Sequence, residues 1–204
     1  MNTKLKIFIF LLIISPLFWW QFVNHNNSLV EYKKTNFYIK EKTSSIFRNT
    51  KYIDESRWND ITQNRKLVGL FFYNKSRFIF NETFYFLNIL NPRFYFQSGS
   101  GQSDSPPQVE PILFLLFPVS FLGIFRLIKN KKYKTLLLFP ISCFFSYITG
   151  QSSLIFSFPV AFLYLYSSSY ELSYWKKKTL LWFLLTLTIY SLFIFCKVIY
   201  ISNL

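Results

Sequence analysis

Acidic residues are scarce in this chain: 204 residues hold 9 Asp and Glu against 23 Lys and Arg, for a formal net charge of +14. All of the acids except Glu171 lie between Asn24 and Glu110, so the long apolar runs hold no mid-run carboxylate. An ion or proton pathway through a bilayer normally needs ionisable groups at depth, which argues against a transporter or channel. Histidine and cysteine are almost missing. His25 has no Cys or His partner nearby, and Cys143 and Cys196 each sit inside an apolar run. A disulfide framework and a metal site are therefore both unsupported, and the two thiols read as small buried hydrophobes. Neither GxGxxG nor GxxxxGK[ST] occurs, so the Gly/Ser-rich stretch Gln97 to Pro107 is not a phosphate loop. Its turn chemistry predicts an outer loop.

Apolar and aromatic residues take the place of what is missing. Hydrophobic residues make up 51% of the chain and aromatics 23%, with 27 Phe and 14 Tyr. The run Pro111 to Ile128 carries a single charge, Arg126, and is followed at once by Lys129-Asn-Lys-Lys-Tyr-Lys134. A stretch of that length is a candidate transmembrane helix, because about 20 residues at 1.5 Å rise cross the hydrocarbon core. The basic cluster behind it is a cytoplasmic-side topology signal. Lys4, Lys6 and Lys176 to Lys178 flank other apolar runs in the same way. That placement makes anionic lipid headgroups the expected counter-charge and speaks against nucleic acid as a partner.

The resulting expectation is an all-α, polytopic membrane protein of about five transmembrane helices. Residues 1-23 form an N-terminal signal anchor, since the run ends in Phe18-Trp-Trp-Gln-Phe-Val23 rather than in small residues suited to cleavage. Residues 24-110 form a long outer loop with weak periodicity at first and a helix around Ser56 to Lys66. Within it Leu67 to Leu90, clustered apolar residues interrupted by Lys75, Arg77 and Glu82, reads as an amphipathic interfacial helix. Residues 111-204 form a four-helix membrane region, with runs at 111-128, 135-149, 153-170 and 179-201. The middle two are short and each contains a proline, Pro140 and Pro159, so a re-entrant hairpin is an alternative. Arg126 and Lys197, near run ends, are expected to snorkel to the interface. The hydroxyls Ser120, Ser142, Ser146, Ser157 and Ser167 to Ser169 are expected to let helices approach and to bond backbone carbonyls. With the N-terminus inside, every short basic loop falls in the cytoplasm, and the expected location is a bacterial plasma membrane.

The segments Tyr73-Asn-Lys75, Phe84-Tyr-Phe-Leu-Asn-Ile-Leu-Asn-Pro-Arg-Phe-Tyr-Phe96 and Leu122-Gly-Ile-Phe125 carry a resemblance. Together they look like the C-terminal half of GT-C superfamily glycosyltransferases, the multispan enzymes related to protein O-mannosyltransferases and aminoarabinose transferases. The resemblance covers roughly residues 53 to 170. It implies an association with lipid-linked sugar transfer, with a polyprenyl-phosphate sugar and a partner glycosyltransferase subunit as candidate partners. Two departures bear on activity. Family enzymes have around a dozen spans, and their catalytic acids lie in a half that has no counterpart here. The hairpin tip that often carries His and Arg in relatives is Gln151-Ser-Ser153 in this chain.

A sugar transfer would need a carboxylate as general base and cationic groups, or a divalent metal, to stabilise the leaving phosphate. Asp54 and Glu55 form the one adjacent acidic pair and are the candidate catalytic residues, while Arg57 and Arg93 are the candidate phosphate or lipid-head ligands. No metal ligand set or cofactor is otherwise expected. Three readings stay open: a truncated or non-catalytic GT-C-like protein, an active transferase completed by a partner chain, and a structural membrane protein unconnected with sugars.

Overall fold

The computed structural model describes residues 3–23, 29–30, 32–63, 65, 67, 90–98, 109–149 and 154–202. The described residues are helical with no strand, in keeping with the all-α expectation. In chain order the elements are α1 (Thr3–Ile14), α2 (Pro16–Val23), α3 (Thr35–Thr62), a π-helical turn (Phe94–Ser98), α4 (Leu116–Lys129), α5 (Tyr133–Leu136), α6 (Leu138–Thr149), α7 (Leu154–Leu172) and α8 (Lys177–Ser202). The expected interfacial helix at Leu67 to Leu90, most of the Gly/Ser loop and the tip Gln151 to Ser153 lie outside the described residues.

Prolines set several helix starts. Pro16 is the first residue of α2, where a missing N–H costs nothing, and α1 and α2 meet there at a 62° bend. Pro118 occupies the first turn of α4 and Pro140 the first turn of α6. A helix running from Pro111 would instead put Pro118 in its interior, against the carbonyl four residues back. The run Pro111 to Ile128 is accordingly not one helix. Its first residues are held by tertiary bonds: the Pro111 carbonyl accepts from Ser15 Oγ at 2.8 Å and from Leu17 N at 2.9 Å, and Ile112 N donates to the Tyr95 carbonyl at 2.9 Å. Helix α4 keeps 14 residues, about 21 Å, and α6 keeps 12.

The helix expected at Ser56 to Lys66 starts far earlier. Residues 35–62 form one 28-residue helix, despite the weak apolar periodicity of the first half. Its sequence is nonetheless free of Gly and Pro, so nothing in it breaks a helix once begun.

Helices α4 and α7 make the tightest pair. Gly123 faces the backbone of Ser167 so closely that a Cβ there would lie 2.0 Å from the Ser167 carbonyl oxygen. One turn away, the hydroxyls of Ser120 and Ser168 are 2.7 Å apart, and Ser120 Oγ also donates to the Leu116 carbonyl at 2.8 Å and lies 3.2 Å from the Tyr164 carbonyl. Ser142, Ser146, Ser157 and Ser167 to Ser169 are buried. Ser120 and Ser168 make the helix–helix contact expected of small hydroxyls, Ser167 and Ser169 bond the Tyr164 and Tyr166 carbonyls of their own helix, and Ser142 Oγ has no hydrogen-bond partner among the described residues. Tyr95 and Phe96 of the π-helical turn, together with Val109, join the same apolar core as Leu11, Leu116, Val160 and Leu187. Phe96 packs its ring against Phe117 and Tyr164 at 5.3 and 5.2 Å, so part of the region read as an outer loop is built into the helical core.

Helix α8 differs from the rest. Its stretch Lys177–Ile199 is the one single helix among the described residues long and apolar enough to cross a membrane, and only 17% of it is buried. Leu181, Trp182, Leu185, Ile189, Leu192 and Phe193 all face outward. The bent pair α1–α2 passes the same test only if counted as one span. Cys196 is exposed on this helix, whereas Cys143 is buried; the expectation that both are buried holds for Cys143 alone.

Candidate functional site

Cations from two of the basic segments converge at one end of the helices. Lys4 near the start of α1, Arg126 near the end of α4 and Lys132 in the following turn all gather around Tyr170 and Tyr174, where α7 ends. Lys4 Nζ lies 4.2 Å from the centre of the Tyr170 ring and 5.3 Å from that of Tyr174. The Arg126 guanidinium lies 4.4 Å from the Tyr174 ring, and Lys132 Nζ lies 5.9 Å from that of Tyr170. Such distances are those of cation–π contacts. The Tyr170 oxygen is itself fixed, accepting from Asn130 Nδ2 at 2.8 Å and from the Tyr174 hydroxyl at 3.2 Å.

Arg126 does not simply snorkel. Its Nε is 3.2 Å from Oε2 of Glu171, the acid that stands apart from all the others in the sequence, and Glu171 is 7% exposed. The approach is off the line of a hydrogen bond, since neither that oxygen nor Arg126 Nη1 has a bonded partner among the described residues. The contact is therefore a charge pair, with Tyr174 covering its cation. Between α1 and α7 a half-open cleft of about 440 Å³ is lined by Lys4, Leu5, Phe8, Lys132, Tyr166 and Tyr170.

A second polar cluster lies far from that end. Tyr190, near the middle of the apolar stretch of α8, donates a hydrogen bond to Glu110. Ser191 Oγ donates to the Ile14 carbonyl at 2.6 Å, at the α1–α2 break, beside the Ser15–Pro111 bond. The sequence places Glu110 at the end of an outer loop and no acid among the apolar runs. The fold adds what the sequence does not show: residues 109–113 run alongside the helices, because their backbone bonds go to Ser15, Leu17 and Tyr95, and they carry Glu110 to the middle of α8.

The residues singled out for sugar chemistry sit elsewhere. Asp54 and Glu55 are exposed on α3, around an open depression of about 510 Å³ that Trp58 and Asn59 also line. Glu55 makes an exposed i,i+4 pair with Lys51 at 3.7 Å. Arg57 is half-buried on the same helix. Arg93 is exposed after Pro92, its backbone N–H bonded to Asn91 Oδ1 at 3.0 Å. Nothing among the described residues brings Arg57 and Arg93 together, and no group of three or more His, Cys, Asp or Glu there could hold a metal ion.

Comparison with protein-family models, with curated proteins and with solved structures found no match. Sequence reasoning found the cations at the basic end, as topology signals, and missed Tyr170 and Tyr174. The available signal was the spacing Tyr166, Tyr170, Tyr174, which places three phenols at i,i+4 intervals on one helical face just before the Lys176 to Lys178 cluster.

Proposed function

We propose that this chain is an integral membrane protein, a non-catalytic relative of GT-C glycosyltransferases that works beside lipid-linked sugar transfer. The observation that carries the membrane part is α8, whose 23-residue apolar stretch is 17% buried. The core helix of a water-soluble protein would be mostly covered by its neighbours. An apolar helix that packs one face, through Leu187, Ile194 and Val198, and leaves the rest of its apolar surface exposed is suited to a hydrocarbon solvent, because each uncovered Leu, Ile or Phe costs about 1.5–3 kcal/mol in water relative to burial.

The convergence of Lys4, Arg126 and Lys132 at one end supports an orientation with that end in the cytoplasm. Five spans remain the proposed topology, with α1–α2 as a bent span, α4 completed at its start by the non-helical residues 111–115, and α5 running into α6. Non-helical backbone at membrane depth is tolerated where it is covered by protein, and Pro111, Ile112 and Leu113 are buried. The link to sugar transfer rests on the sequence resemblance. The non-catalytic reading is supported by the exposed positions of Asp54 and Glu55, the latter paired with Lys51 of its own helix.

Two experiments test the proposal. Alkaline carbonate should leave the full chain in the membrane pellet; release into the supernatant refutes the membrane reading. The purified chain, given polyprenyl-phosphate sugars, acceptor and divalent metal, should transfer no sugar. Turnover that Asp54→Asn with Glu55→Gln abolishes would establish an enzyme instead.

A further inference from the structure

We infer that the cleft between α1 and α7 is a binding site for an anionic phospholipid, with the lipid phosphate at Lys4 and Lys132 and an acyl chain along Leu5, Phe8 and Tyr166. The inference rests on the membrane reading of the preceding section and adds a ligand and a site to it.

The cleft has the polarity of an amphiphile. Its mouth holds two ammonium groups held over the same Tyr170 ring, and none of its six lining residues is acidic. The nearby carboxylate, Glu171, is turned to Arg126. Moving one helical turn along α1, from Lys4 to Phe8, the wall changes from charged to aromatic. Phe8 is backed by Phe162 and Tyr166, with ring centres 5.4 and 6.1 Å away, so this upper wall is packed. The platform at the mouth is equally fixed, because Asn130 and Tyr174 both bond to the Tyr170 hydroxyl.

A preformed cleft of about 440 Å³ lies in the range of small-molecule sites. Basic pockets between helices on the cytoplasmic side take phosphate headgroups, and the attraction of two lysines near an anionic surface amounts to about 30-fold in affinity. A free phosphate would satisfy the cations but leave the aromatic wall unused. The wall therefore favours the lipid over the soluble anion.

Full-length protein purified in a neutral detergent is titrated with phosphatidylglycerol or phosphatidylcholine and read by native mass spectrometry. Phosphatidylglycerol should bind at least tenfold more tightly than phosphatidylcholine, and Lys4→Gln with Lys132→Gln should weaken it about 30-fold. Lys4→Arg with Lys132→Arg should restore binding. Lys177→Ala with Lys178→Ala, at basic positions outside the cleft, should leave it within twofold.

Equal affinity for the two lipids, or undiminished binding by the glutamine pair, overturns the site. Displacement of bound lipid by equimolar inorganic phosphate overturns the lipid assignment in favour of a soluble anion. Should the glutamine pair fail to fold, a phosphatidylglycerol with a photoreactive acyl chain decides the matter on the wild-type chain. It should label peptides carrying Phe8 or Tyr166, and labelling confined to other peptides refutes the placement. Carbonate extraction reads the membrane assignment separately, so loss of one conclusion is distinguishable from loss of the other.

Discussion

Replacing Gly123 by alanine places a methyl group 2.0 Å from the Ser167 carbonyl oxygen and 2.5 Å from its carbon. Non-bonded carbon contacts sit near 3.5 Å, so α4 and α7 must part by more than about 1 Å locally. The Ser120–Ser168 contact at 2.7 Å would stretch past hydrogen-bonding range, and so would Ser120 to the Tyr164 carbonyl at 3.2 Å. Overpacking of this kind costs about 1–3 kcal/mol, and each interhelical bond in a membrane protein about 0.6 kcal/mol. Against this stands the better helix propensity of alanine, about 1 kcal/mol.

The clash wins, with a net destabilisation of about 1–3 kcal/mol. The assay is unfolding in mixed micelles by titration with sodium dodecyl sulfate, followed by circular dichroism. Leu122→Ala, on the exposed neighbour, is the control. Ser120→Ala combined with Gly123→Ala should cost less than the sum of the two, because the alanine at 123 already separates the serines. An unchanged or raised midpoint for Gly123→Ala would refute the backbone contact between α4 and α7.

Arg126→Met leaves Glu171 as a buried charge without its partner and should destabilise by up to about 3 kcal/mol, while Arg126→Met with Glu171→Leu should recover most of that loss in the same assay. Tyr190→Phe removes a donor from Glu110 and should cost about 1–3 kcal/mol, with Glu110→Gln in the same chain adding little further. Burial in the core pushes the Tyr95 phenol above its ordinary 10.0. The unfolded chain therefore gives up that proton first as pH rises, and stability should fall above pH 10.0, less steeply in Tyr95→Phe. Cysteines introduced one at a time should label oppositely, Lys131→Cys from the cytoplasm and Asn59→Cys from outside; the reverse pattern would sink the proposed orientation.

Local features of this chain were legible because their causes are local. Helix-forming apolar runs, the bend at Pro16, the buried hydroxyls and the basic run ends all depend on residues close in sequence. By itself the sequence determined an all-helical character and cations gathered at the ends of apolar runs; that 179–201 is the run that becomes a single helix long enough to cross a bilayer among the described residues came from the fold. The sequence could not determine how far α4 extends. Pro111 and Ile112 leave the helical pattern for partners at Ser15, Leu17 and Tyr95, and those bonds exist only once distant segments have met.

Tertiary structure alone decided that Arg126 meets Glu171, that Glu110 reaches the middle of α8, and that Lys4 and Lys132 share one tyrosine ring across 128 positions of sequence. Charge pairing and cation–π contact act over a few ångströms, and no periodicity within a single run encodes which run end lies beside which.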